Sequence, residues 1–309
     1  MSTVSVARSG FSSPEIRKAI FDLLGRVELE KRNVQSILIK TNACFYWDSS
    51  TGQTTDLRVI SAVIDWLRER YGQDVTIRIG EADASAMRVR HVFEVLNYVE
   101  LAKQKRSELV NLSEGEKFEK EVTVGKKKIV FPFSKMISNS NMLVNVPKMK
   151  SHPITAMTCC LKNVYGMIYE PYKWQYHTYI DQAIVAANKI IRPDLNVVDG
   201  VVANGNRPVK LGSLLAGTDP VAVDSVSAKI MGYEPSEISH IVLAEKEGVG
   251  KSKEITVVGE DPEQFRSVFP RRNVAMEKRY IPILLGLLSL YSRVAGDIIP
   301  PAMEKLGSL

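Results

Sequence analysis

Cysteine is scarce. Cys44, Cys159 and Cys160 are the only three in 309 residues. Three cannot build a disulfide framework, the adjacent pair cannot readily close on itself, and no C-x-x-C occurs, so no zinc ribbon and no iron–sulfur cluster is expected within this chain. Long hydrophobic runs are also missing. The most apolar stretch, residues 281–291, meets Arg293 and Asp297 well short of the roughly 20 residues a spanning helix needs. Residues 1–8 lack the basic-then-apolar order of a signal peptide, and the protein is therefore expected in the cytoplasm, at most peripheral to a membrane. Several cofactor and nucleophile signatures are absent: G-x-G-x-x-G after a strand, Walker A, G-x-S-x-G and H-E-x-x-H. Gly248-Val-Gly-Lys-Ser252 ends like a Walker A but lacks its first glycine.

What is present is ordinary globular material, 45% hydrophobic and 25% charged, which excludes disordered, collagen-like and membrane-spanning classes. Lys and Arg number 41 against 35 Asp and Glu, a net charge of +6. That bias suits small anionic ligands. No nucleic-acid signature accompanies it, and no nucleic-acid partner is expected.

The order of elements predicts an α/β fold with a mainly parallel, Rossmann-like layered sheet. A helix is expected over 14–29 with Ile16, Ile20, Leu23 and Leu24 on one face, then a strand over Ser36–Lys40. A polar loop (41–55), a helix (56–70), a strand (75–80) and a helix (86–96) follow, the order of βαβ units. Residues 120–131 alternate around Gly125-Lys126, as an inserted β-hairpin at a sheet edge would. Strands are expected over 142–146, 195–199, 210–217 and 254–258, and a helix over 220–231 with Asp219 as its cap. Residues 1–262 are assigned to this α/β unit. Residues 263–309 are assigned to a basic and apolar helical appendage, which could pack on the body or meet a protein partner or membrane surface.

In open parallel sheets ligands bind beyond the carboxyl ends of strands. Here those ends carry Lys40-Thr41-Asn42, Gly80-Glu81-Ala82-Asp83, Pro147-Lys148-Met149-Lys150-Ser151-His152 and Asp199-Gly200. The third group is the densest. Thr155, Thr158, Lys162 and Asn163 follow it at roughly helical spacing, and His177 lies beyond an aromatic stretch. Lysines, histidines and hydroxyls together make a donor set for carboxylate or phosphate oxygens. A solvated basic face would need no ligand; the position at the end of a buried strand is what favours a site. Lys148, Lys150 and Lys162 would clamp charge and His152 and His177 exchange protons. Asp199, Asp219 or Asp224 could orient a histidine or hold a metal. Cys159 and Cys160 are expected as buried, inert thiols, and His91 and His240 as ordinary helix residues.

Several segments resemble the domain-of-unknown-function 362 family: Lys40-Thr-Asn, Thr54-Thr-Asp, Asn145-Val-Pro-Lys-Met-Lys-Ser-His152, Thr158-Cys-Cys-Leu-Lys-Asn-Val-Tyr-Gly166, Val198-Asp-Gly200 and Gly217-Thr-Asp-Pro-Val-Ala-Val-Asp224. The likeness runs from about residue 35 to 250 and carries no reaction with it. More distantly, His152, Lys162 and His177 are spaced like a histidine, lysine and histidine of lactate racemase. The Thr54-Thr55-Asp56 loop is similar to that family's substrate- or cofactor-contacting Thr-Arg-Pro loop. That resemblance implies a nickel-pincer nucleotide held as a thioamide on Lys162, with His177 as nickel ligand and a histidine as proton acceptor. Two departures stand against it: a motif histidine is replaced near Asp83 or Ser85, and small glycines before the lysine are replaced by Cys159-Cys160-Leu161.

The residues therefore predict an enzyme acting on a small anionic substrate. His152, Lys162 and His177 are its catalytic candidates, and Lys40, Asn42, Thr54, Thr55, Lys148, Lys150, Thr158 and Asn163 its binding candidates. His177, Asp199 and Asp224 are candidate metal ligands. Two other readings stand beside it: a lactate-racemase-like isomerase, and a non-catalytic assembly or carrier factor for a redox partner.

Overall fold

Burial on both faces makes the centre of this protein a sheet. Ile37 and Ile39 enter one hydrophobic cluster and Leu38 the other, all three fully buried, as expected of a strand covered by helices on both sides. A computed structural model describes residues 2–30, 32–43, 46–84, 87–205, 207–266, 268–269 and 283. Its strands are β1 (Ser2–Arg8), β2 (Ser36–Lys40), β3 (Thr76–Glu81), β4 (Glu108–Asn111), β5 (Lys117–Val124), β6 (Lys127–Ser134), β7 (Met142–Asn145), β8 (Lys148–His152), β9 (Ala156–Thr158), β10 (Leu195–Asn204), β11 (Pro208–Gly217) and β12 (Ile255–Gly259).

Ten strands form one sheet in the order β12-β1-β11-β10-β7-β2-β3-β4, with β8 on β10 and β9 on β8. The run β10-β7-β2-β3-β4 is parallel, whereas β11 is antiparallel to both β10 and β1. From β2 the chain steps outward to β3 and β4, then returns on the other side of β2 as β7. This reversal opens a crevice beyond the carboxyl ends of β2 and β7, the place where such sheets bind ligands.

Helices α1 (Ser13–Gly25), α2 (Leu57–Tyr71), α3 (Val89–Val95) and α4 (Tyr98–Gln104) cover one face. The other face is covered by α5 (Lys135–Ser138), α6 (Cys160–Tyr165), α7 (Ile180–Ile190), α8 (Pro220–Ile230), α9 (Ser239–Lys246) and α10 (Glu263–Arg266). Local chemistry sets their ends. Ser12 and Glu15 form a reciprocal capping box on α1, and Asp219 accepts from the amides of Val221 and Ala222 at the start of α8. His91 and His240 lie buried on α3 and α9.

The fold departs from expectation in several places. The strands β1 and β4 and the helices α4, α5 and α7 were not anticipated, and the helix expected over 86–96 is the shorter α3. Residues 148–158, expected as a loop running into a helix, form the β8–β9 hairpin, so Thr155 and Thr158 do not share a helix with Lys162. The reason is β10, whose extension beyond Asp199 offers β8 a parallel partner. The hairpin β5–β6 is a separate two-stranded sheet rather than an edge of the main one. Its Phe131 and Phe133 are fully buried in the core shared with α6, α7 and α8.

At the beginning of the expected appendage, Phe265 of α10 is buried in that core with the Arg8 guanidinium 4.4 Å from its ring centre. Apart from Ile283, the apolar stretch expected over 281–290 lies outside the described residues. Among the described residues, no helix is long and apolar enough to cross a membrane.

Candidate functional site

A cavity of about 500 Å³ opens beyond the carboxyl ends of β2 and β3, beside the crevice between β2 and β7, a size suited to a small metabolite. Three groups of residues build it. The first comes from the ends of β2 and β3. Lys40 Nζ lies 2.6 Å from Glu81 Oε1 in a pair almost wholly withdrawn from solvent. Register places Lys40 beside Gly80, so the side chain after Gly80 meets it directly. Glu81 also accepts from the amides of Ala43 and Ala82, each at 2.9 Å. With the carboxylate held by three donors, Lys40 balances Glu81 and positions the strand ends.

The second group comes from β8 and the turn after it. Lys150 Nζ donates to the Gln53 carbonyl at 2.7 Å, and Ser151 donates to the Gly205 carbonyl. His152 Nδ1 accepts from the amides of Ile154 and Thr155, at 3.2 and 3.3 Å. A nitrogen that accepts two N–H groups carries no proton, which leaves the imidazole proton on Nε2. Burial, then the charges of Lys162, His177, Lys150 and His240, hold His152 well below the usual imidazole pKa.

The third group is α6 with the 3-10 segment Lys173–Tyr179. Lys162, Asn163, Tyr165 and Gly166 line the cavity from α6, and Lys173, Trp174 and His177 from the segment. A chain of buried amides fixes α6. Asn42 Nδ2 donates to Asn163 Oδ1 at 2.8 Å, Asn163 Nδ2 to Asn145 Oδ1 at 2.8 Å, and Asn145 Nδ2 to Asn196 Oδ1 at 2.9 Å. Such a fully donated relay specifies one geometry. Asn42 Oδ1, Thr158 Oγ1, Trp174 Nε1 and His177 Nδ1 are buried without a hydrogen-bond partner. Four of the lining residues thus keep hydrogen-bonding capacity unused. Burial, then Lys162, lowers the His177 pKa, opposed by the carbonyls of Trp174 and Lys173. Burial also pushes Lys173 down to about 7, although Glu81 pulls it the other way.

The structure therefore brings His152, Lys162 and His177 to one cavity, with Lys40, Asn42, Lys150, Thr158 and Asn163. It does not bring all the others there. Lys148 is fully buried with its Nζ 2.8 Å from Asp199 Oδ2. Asp199 further accepts from the amides of Asp56 and Val201, so this pair ties the start of α2 to β10. Thr55 Oγ1 accepts from the Asn42 amide and donates to the Val146 carbonyl, a loop clasp. Thr54 and Thr55 line a different hollow, with Tyr46 and Asp48.

The residues expected as a metal set are not brought together. Asp199 is committed to Lys148, and Asp224 accepts the amides of Cys160 and Leu161 at 2.7 and 3.0 Å at the first turn of α6. Burial raises Asp224 to about 6. Among the described residues, the metal-type donors that come within 4.8 Å of one another are Cys159, Cys160 and Asp224, not His177, Asp199 and Asp224. Both thiols are fully buried and raised by burial, which keeps them protonated.

Sequence reasoning missed Lys173 and assigned no role to Trp47 or Gln53. A lysine between Tyr172 and Trp174 inside an aromatic run was the available signal, because that context withdraws an amine from water.

A family model described as "Domain of unknown function (DUF362)" matches residues 37–229, from β2 to α8, and so takes in every element of the cavity. The chain belongs to this family. Among curated proteins, a thylakoid-associated protein of Synechocystis sp. is 30% identical over 129 residues, 38% of this chain and 40% of that protein. The chain thus matches less than half of that relative's length. Among solved structures, the lactate racemase apoprotein of Thermoanaerobacterium thermosaccharolyticum has a TM-score of 0.46 at 10% identity, covering 75% of this chain and 57% of that one. A Thermotoga maritima protein has a TM-score of 0.42 at 11% identity, covering 78% and 60%.

Proposed function

We propose that this DUF362 protein is an enzyme that holds a small carboxylate- or phosphate-bearing substrate in the β2/β7 cavity and moves a proton on it. The carrying observation is the charge of the lining. Four lysines, Lys40, Lys150, Lys162 and Lys173, face the cavity, and Glu81 is the one carboxylate that does so among the described residues. Glu81 is matched by Lys40, so the balance of the remaining wall is cationic. Low-dielectric walls focus that field on whatever enters.

The two histidines divide the work. His152, with its proton fixed on Nε2, donates a hydrogen bond to substrate oxygen; it does not take up a proton. This revises the expectation that both histidines exchange protons. His177, kept neutral by burial and by Lys162, serves as the base. Titration calorimetry with inorganic phosphate and small mono- and dicarboxylates at low salt tests the reading. Lys150→Met with Lys162→Met should weaken binding about tenfold or more, as expected for lost charge-assisted bonds, at nearly unchanged melting temperature. Equal affinity in the double variant would refute it.

One observation favours a second reading, the lysine-linked nickel-pincer nucleotide. Cys159, Cys160 and Leu161, which stand where lactate racemase has small residues, are fully buried in the core and do not line the cavity. They leave Lys162 on the cavity with His177. Lys162 and His177 would hold the group, which when bound would supply a reversible hydride acceptor beside a carboxylate. Intact mass of protein from its own host, equal to the bare chain and with no nickel, would exclude this reading.

A further inference from the structure

We propose that Lys173 is a nucleophilic amine that forms a Schiff base with an aldehyde or ketone carrying a carboxylate or phosphate. This deepens the anion-site reading and rests on it for the substrate's charged end.

Lys173 is 93% withdrawn from solvent, being 7% exposed, yet it lines the cavity. Buried lysines are ordinarily paired with a carboxylate, because an unpaired buried charge is costly. Lys173 has no such partner within ion-pair distance among the described residues. Its amine donates instead to a peptide carbonyl, that of Asp83. The carboxylate that could have served, Glu81, is taken by Lys40 at 2.6 Å. The charged groups around the amine are Glu81 and Lys40 at the ends of β3 and β2, Asp83 after β3, and Glu170 just before its own segment. Withdrawn from water, and with a neutral carbonyl rather than a carboxylate as its acceptor, the amine has access to its neutral, attacking form.

The segment that carries it is anchored on both sides. Tyr165 Oη donates to the Lys173 carbonyl at 2.6 Å. Tyr176 packs edge-on against Phe131 of β6, ring centres 5.0 Å apart. The amine is therefore pre-positioned.

The step balances without a further reagent. The Lys173 nitrogen lone pair attacks the carbonyl carbon, and the C=O π electrons move to oxygen as a carbinolamine forms. That oxygen leaves as water as the C=N bond forms. Overall, amine, carbonyl compound and one proton give a protonated imine and water.

The test uses limiting glyoxylate with cyanoborohydride on the full chain, followed by peptide mapping. Hydride delivered to the imine carbon leaves a carboxymethyl group on the reacting lysine. Lys173 should be labelled at least about tenfold faster than the average lysine, since the neutral amine is the attacking form. Lys173→Arg, which keeps a cation, should lose that label alone. Labels scattered over other lysines with Lys173 unmodified would overturn the inference on the wild-type chain, whatever the folding of the variant. Saturating inorganic phosphate separates the two claims. Slowed labelling of Lys173 supports the anion site. Undiminished labelling of Lys173 would remove the anion reading and leave the nucleophile standing.

Discussion

Lys148 and Lys150 are two positions apart and do different things. Lys148 neutralises Asp199 where neither meets solvent, whereas Lys150 reaches the cavity wall. Removing one member of a buried pair strands the other charge, so Lys148→Met should destabilise the protein by about 3–5 kcal/mol. Chemical denaturation checks this, and Lys162→Met should show no comparable loss. In the sequence the two lysines looked alike, since the partner that separates them lies 51 residues away. Lys173 adds a pH signature. Its folded pKa, about 7 against an ordinary 10.5, means that between these values the unfolded chain holds a proton that the folded one has released. Stability contributed by this group is therefore absent below pH 7 and grows as pH rises toward 10.5. Lys173→Met should remove that slope from a series of melting curves across this window.

At the scale of elements, the legible parts were those that state their own environment. Residues 36–40 and 195–199 read as buried strands because Ile, Leu and Val fill both faces, and α8 declared its cap in Asp219. The β8–β9 hairpin was not legible: Lys150 and His152 are polar, Pro147 reads as a stop, and the pairing depends on the distant extension of β10. In β1 the signal was only Val4 and Val6 among small polar residues, and its partner strands come more than 200 residues later. The same dependence makes Gly52 sensitive. It sits at φ +70, and an added Cβ would come 2.5 Å from the Ala203 carbonyl oxygen of β10. Gly52→Ala should cost more than about 1 kcal/mol through backbone strain and loosen the loop whose Gln53 carbonyl holds Lys150. A lowered unfolding midpoint with weaker phosphate binding would show both effects.

For the molecule as a whole, the site follows from topology. A mainly parallel sheet that reverses its order between β2 and β7 must leave a crevice there, and the chain lines it with lysines from three separate stretches. The reading from strand ends located this region, because it needed only the order of elements. It could not sort the strand-end residues into those that line the cavity and those that bind the loops together. Anion binding should be coupled to proton uptake near neutral pH, because a bound negative charge raises Lys173 from about 7. Calorimetry in buffers of different ionisation enthalpy should detect a fraction of a proton taken up per anion near pH 7.5. No buffer dependence would mean that Lys173 does not sense the ligand.

The most direct measurement is a crystal structure of the full chain soaked in selenate, with data collected at the selenium edge. The account predicts an anomalous peak inside the β2/β7 cavity, within hydrogen-bonding distance of Lys150 or Lys162 and of His152 Nε2, and its loss in the Lys150→Met/Lys162→Met variant. Selenium peaks confined to the outer surface, with the cavity holding water alone, would contradict it.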